Sequence, residues 1–95
     1  MYLEIITPES KVFSGVVEAV QLPGLDGSFQ VLKGHAPIIS ALSAGNVKID
    51  LQNAYEVTEK TSELISTDSN AKVLRVNIKG GVVEMLNDKI IVLAE

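Results

Sequence analysis

A single histidine and no cysteine leave this 95-residue chain few ways to assemble a reaction centre. His35, between Gly34 and Ala36, could serve as a general base or a metal ligand. Neither role finds partners in the sequence: no carboxylate lies at helical spacing from it, and no second histidine or thiol exists to share a metal. The plainer alternative is a turn histidine whose ring is hydrogen-bonded to backbone. Asp26 and Glu18 could be imagined as an acid–base pair, but neither spacing nor apolar enclosure argues for one, and they read as solvated charges. Ser62 and Ser66 lie in a polar stretch with no base nearby in sequence. Pro23 to Gly27 has glycines, yet it lacks the Lys-Ser/Thr pair and the following helix of a phosphate-binding loop. The chain therefore reads as non-catalytic, with no cofactor and no metal, and its work as binding something and holding it.

Bulk properties narrow what it binds. With a formal net charge of −4 and a pI near 4.9, the eight basic residues are spread thinly, which argues against a nucleic-acid or anionic-membrane surface. The first dozen residues hold no basic segment followed by a long apolar one, so no secretory signal is visible. The longest apolar run is Ile90 to Ala94, far short of the roughly 18 residues of a membrane helix, so any membrane association comes through a partner rather than by direct insertion. A length of 95 residues suits one domain, 1–95, and an apolar fraction of 46% with only four aromatics implies a core of Val, Ile and Leu, which favours strands.

What must be positioned lies between Pro23 and Ser40, which holds three of the seven glycines, two of the three prolines and the histidine. Pro23-Gly24 suits the central positions of a type II turn, and Asp26-Gly27 is a second reversal signal. Positive φ is expected at both Gly24 and Gly27. Ser28 to Leu32 alternates, with Phe29 and Val31 on one side, before Lys33-Gly34-His35 breaks the strand and Ala36-Pro37 imposes an extended residue. So many constraints in a short segment suit either a structural corner of a β-protein or a contact surface.

Around this segment the chain reads as short strands. Tyr2 to Thr7 alternates until Pro8; Lys11 to Phe13 is extended, Ser14-Gly15 punctuates it, and Val16 to Leu22 forms another strand in which Glu18 shares a face with Val20 and Leu22. Ile38 to Leu42 is apolar and short. Val47, Ile49 and Leu51 alternate cleanly with polar residues, as do Leu74, Val76 and Ile78. Gly80-Gly81 breaks the run before Val82 to Leu86, Asn87-Asp88 signals a two-residue hairpin, and Lys89 to Ala94 closes the chain. Residues 52–72 are polar, with spacing that fits an extended hairpin or a short helix. The fold class is all-β: a flattened sandwich or barrel of about eight to ten short strands, with an insertion of uncertain structure at about 52–72.

The motif L-P-G-x-x-G-x-F-x-V-L-x-G-H-A-P-I-I, Leu22 to Ile39, resembles the signature of the epsilon subunit of F-type ATP synthases, in its amino-terminal β-sandwich domain. Val12-Phe13-Ser14-Gly15, Gly45-x-Val47-x-Ile49, Gly80-Gly81 before Val82-Val83-Glu84, and Ile91-Val92-Leu93-Ala94 agree in order, so the likeness spans almost the whole chain. The resemblance implies a non-catalytic subunit of the rotor's central stalk, which binds the gamma subunit and the ring of c subunits and couples proton flow to ATP synthesis. It implies a peripheral position at the cytoplasmic face of the bacterial inner membrane. By the same likeness, Gly24, Leu25, Asp26, Gly27 and Ser28 meet the polar loops of the c ring, with Asp26 a partner for a basic ring residue. Gly34, His35, Ala36 and Pro37 form a turn near gamma and the ring. The chain departs from the family at Ser28, often acidic there, at Gln30, often glycine, and at Lys33, often proline. Family members commonly continue into a two-helix domain that inhibits hydrolysis and in some binds ATP; a chain complete at Glu95 is expected to work without that device. The competing readings are a free β-sandwich module for a peptide or small ligand, and a small hydrolase with His35 enclosed beside a carboxylate.

Overall fold

The computed structural model describes residues 1–95, which form ten strands and no helix. In chain order they are β1 (Tyr2–Ile6), β2 (Lys11–Val16), β3 (Ala19–Gly24), β4 (Gly27–Leu32), β5 (Ile38–Leu42), β6 (Gly45–Asp50), β7 (Ile65–Thr67), β8 (Val73–Ile78), β9 (Gly81–Leu86) and β10 (Lys89–Ala94). Hydrogen bonding runs in the order β2-β1-β10-β9-β5-β3-β6-β8-β7, with β4 on the other side of β3. All neighbours are antiparallel except the first and last strands, which run parallel from Tyr2 opposite Lys89 to Ile6 opposite Leu93. The fold is the expected all-β sandwich, nearly closed into a barrel.

Alternation creates its core. Leu3 and Ile5 of β1, Val20 and Leu22 of β3, Val47 and Ile49 of β6, Leu74, Val76 and Ile78 of β8, and Ile90 and Val92 of β10 share one cluster of 19 buried residues. Period-two patterning turns each of these sets inward and leaves Glu4, Gln21, Lys48, Arg75 and Asn77 on the wetter side. A register shift between Ile5 and Ile6 places Val12 and Phe13 both inside, because the extra residue of a bulge restarts the alternation.

The two halves of the sheet meet at a corner. There β3 touches β5 through a single pair, Gly24 opposite Leu42, and the Ser43 amide and hydroxyl donate to the Pro23 carbonyl at 2.8 and 3.2 Å. Gly81 sits beside it, paired with Leu42 on one side and Ala94 on the other. A methyl group at Gly81 would stand 2.2 Å from the Leu93 carbonyl oxygen, so this position tolerates only hydrogen.

Three sequence expectations need correction. Ser14-Gly15 does not interrupt a strand: β2 runs on through Val16, and the break falls at Val17-Glu18, whose amides donate to the carbonyls of Met1 and Asp50 at 2.8 Å each. Glu18 is therefore exposed in a bend ahead of β3 and does not share the buried face of Val20 and Leu22 as expected. Pro23-Gly24 is not a turn but the end of β3, and one two-residue loop, Leu25-Asp26, makes the whole reversal. In 52–72 there is no helix; the hairpin expectation holds only for β7, which pairs with β8 across the turn at Asp68 to Lys72. The preceding residues, 51–64, are irregular, and they are held by the Leu51 and Tyr55 amides donating to the Lys72 and Ala71 carbonyls at 2.8 and 2.9 Å. Tyr55 packs against the core, its ring centroid 6.4 Å from that of Phe13.

Candidate functional site

The β3–β4 hairpin is set by Leu22 opposite Phe29 and closed by Gly24 opposite Gly27. Neither Leu25 nor Asp26 has a positive φ, so the left-handed step falls on Gly27, at φ 121°. Gly24 serves close approach instead: a Cβ there would lie 2.6 Å from the Gly27 carbonyl oxygen and 2.9 Å from the Phe29 ring. The expectation of positive φ thus holds for Gly27 and fails for Gly24. Leu25 projects from the tip, 65% exposed, beside exposed Asp26, Gly27 and Ser28. An open cleft of about 330 Å³ lies beneath the tip, bounded by Gly24 to Phe29 and by Ser40 and Ala41 of β5.

The second turn is separate. Gly34 takes φ 85°, the His35 amide donates to the Leu32 carbonyl at 3.0 Å, and His35 Nδ1–H donates to the Ala36 carbonyl at 2.6 Å. His35 is thus a turn histidine bonded to backbone, and it is exposed with Gly34, Ala36 and Pro37 rather than enclosed beside a carboxylate as hydrolysis would need. No group of three His, Cys, Asp or Glu side chains is arranged to hold a metal. Although adjacent in sequence, the two turns occupy opposite ends of β4, roughly 17 Å apart at strand rise.

Sequence reasoning missed a third feature, the outward face of β1, β10, β9 and β5. Ile39 is 78% exposed there, and Leu93, Leu86 and Val82 are also exposed. Pro37, Ile39, Glu84 and Leu86 border a shallow depression of about 400 Å³. The signal was present in Val82-Val83 and Ile90 to Leu93, strands apolar on both faces, which need a cover on both.

On this face Glu4 is held by Lys89 at 3.2 Å and Lys11 at 3.4 Å, and the Lys89 ammonium lies 5.9 Å from the Tyr2 ring centroid. The hydrogen bond from Lys89, helped by Lys11 and opposed by partial burial, lowers the Glu4 carboxyl below its ordinary value near 4.5. Asp68 is lowered from 3.8, first by Arg75 and then by the Ser69 amide. A lowered folded-state value means stability that is complete above the unfolded value and is lost as pH falls through the folded one. Urea midpoints are therefore expected to hold steady above about pH 5 and fall on acidification below it, with a shallower fall in Glu4→Gln. An equally steep acid limb in that variant would remove Glu4 from the account.

Fold and surface together define a β-sandwich that presents a glycine-closed hairpin and an apolar sheet face. All of residues 1–95 match the ATP synthase, Delta/Epsilon chain, beta-sandwich domain, and the chain belongs to that family. The ATP synthase epsilon chain of Chlorobium limicola is 40% identical over 93 residues, covering 98% of this chain and 86% of that one. The Salinibacter ruber epsilon chain is 32% identical, and there the match covers 98% of this chain but 56% of the longer relative. Two solved structures share the fold at low identity. One, from the central stalk and c ring of the Tetrahymena thermophila mitochondrial ATP synthase, aligns with TM-score 0.68 at 13% identity over 98% of this chain and 61% of the other. The second, from a Euglena gracilis mitochondrial ATP synthase structure of OSCP, F1 and c ring, gives 0.74 at 15% over 97% and 48%. The expectation of an accessory synthase chain rather than an enzyme agrees with the names of these relatives.

Proposed function

We propose that residues 1–95 act as one domain of the central stalk of a proton-translocating F-type ATP synthase, binding the gamma subunit and the c ring and so coupling proton flow to ATP synthesis. The observation that carries this reading is the family match over the whole chain. Two separate surfaces support a division of labour within this reading. Gly24, Leu25, Asp26, Gly27 and Ser28 form the ring contact, where exposed Leu25 gives apolar area and Asp26 a charge for a basic loop residue. Gly34, His35, Ala36 and Pro37 lie at the far end of β4 and β5, and they adjoin the apolar face through Pro37 and Ile39. On this reading the turn lies near gamma and the ring, and the adjoining apolar face is the surface for gamma. No helix is long and apolar enough to cross a membrane. The proposed attachment is peripheral, through the ring. In a bacterium this is the cytoplasmic face.

Co-expression with the gamma subunit encoded nearest to this chain tests the reading. A complex that survives size-exclusion chromatography, and whose Leu25→Cys variant cross-links to c subunits once the ring is added, supports it. Separate elution at micromolar concentration overturns it in favour of a free binding module.

A further inference from the structure

On the outward face, one cross-strand row runs Glu4, Ile91, Glu84, Ile39. The two carboxylates in that row are treated differently. Glu4 is held by two lysines, whereas Glu84 has no ion-pair partner. Lys89 borders the same small depression as Glu84, but its ammonium is engaged by Glu4 and lies over the Tyr2 ring. Around Glu84 stand Ile91 and Ile39 across the strands and Val82 and Leu86 along its own. In water this carboxylate is content. Under a partner drawn by those apolar side chains it would lose its hydration, and an uncompensated buried charge is among the costliest features of any interface.

We infer that Glu84 is the charge-reading position of this face: it receives one lysine or arginine of the gamma subunit, among the apolar side chains of Ile39, Val82, Leu86 and Ile91. This rests on the stalk reading and adds to it the chemistry of the contact.

The test measures affinity of purified gamma for the wild-type chain, Glu84→Gln, Glu84→Lys and a control, Glu56→Lys, in the irregular segment. Neutralisation should weaken binding about tenfold and flatten its salt dependence, and reversal should weaken it about a hundredfold. One Lys→Glu or Arg→Glu change in gamma should restore binding to Glu84→Lys, and the control should bind as wild type. Melting temperatures close to wild type exclude misfolding as the cause. Wild-type affinity in both Glu84 variants overturns the inference while leaving the stalk reading intact. Absence of binding by the wild-type chain overturns the stalk reading itself. Unchanged gamma binding with new self-association of Glu84→Gln overturns the inference in favour of a device against self-pairing.

Discussion

Gly81→Val should leave little folded protein. The added Cβ meets the Leu93 carbonyl oxygen at 2.2 Å and the Ala94 Cα at 3.0 Å, both main-chain atoms that no rotamer change can move. The backbone there also has φ 150°, which a β-branched residue resists. Relief requires β9 to separate from β10, and β10 carries buried Ile90, Val92 and Ala94. The expected loss is about 4 kcal/mol or more, at the upper end for one substitution and a large share of the 5–15 kcal/mol typical of a whole domain. Gly80→Ala next door is the control: its nearest neighbour would be at 3.4 Å, and the cost is mainly left-handed strain of about 1–2 kcal/mol. Thermal melting distinguishes them. A Gly81→Val protein melting within a few degrees of wild type would mean that the corner is more pliable than its spacing implies.

Gly24→Val should open the hairpin tip while sparing most of the core. Its Cβ would enter the space of the Gly27 carbonyl oxygen and the Phe29 ring, so the last β3–β4 pair must part. About 2–3 kcal/mol is expected, together with loss of the proposed ring contact, because Leu25 and Asp26 would no longer be held together. Gly27→Ala offers the contrast: no atom lies within 4 Å of the new methyl, so only backbone strain of about 1–2 kcal/mol applies. Cross-linking of Leu25→Cys to c subunits in the assembled enzyme reads the effect directly. Full cross-linking and full coupling in Gly24→Val would sink the assignment of this loop.

Much of the fold was legible because local patterns and the tertiary fold agree. Asn87-Asp88 was read as a two-residue hairpin, and both residues take positive φ, 53° and 62°. The alternation of Val47 and Ile49 and of Leu74, Val76 and Ile78 survives unchanged as buried faces. What escaped depended on neighbours distant in sequence. Val17-Glu18 is a break because Met1 and Asp50 accept its amides, and nothing local announces those carbonyls. Gly24 looked like a turn residue because its requirement, proximity to Phe29, belongs to the opposite strand. In residues 51–64 the helix-like spacing misled, because the segment is anchored by backbone bonds at Leu51, Tyr55 and Leu64 and by the Tyr55 ring rather than by a repeating face. For the candidate site, the motif located both turns but could not show that a strand's length separates them, nor that Ile39 and Leu86 share a surface.

The parallel pairing of β1 with β10 has a bearing on biosynthesis. During translation β1 and β2 emerge before the other eight strands, yet the strand that seats them is the last of the ten. Leu3 and Ile5 stay uncovered until Val92 has left the ribosome, so this domain should complete its folding as a unit, once β10 has emerged, rather than piecemeal as it is synthesised. Early exposure of that pair marks the interval in which a nascent chain is most in need of a chaperone.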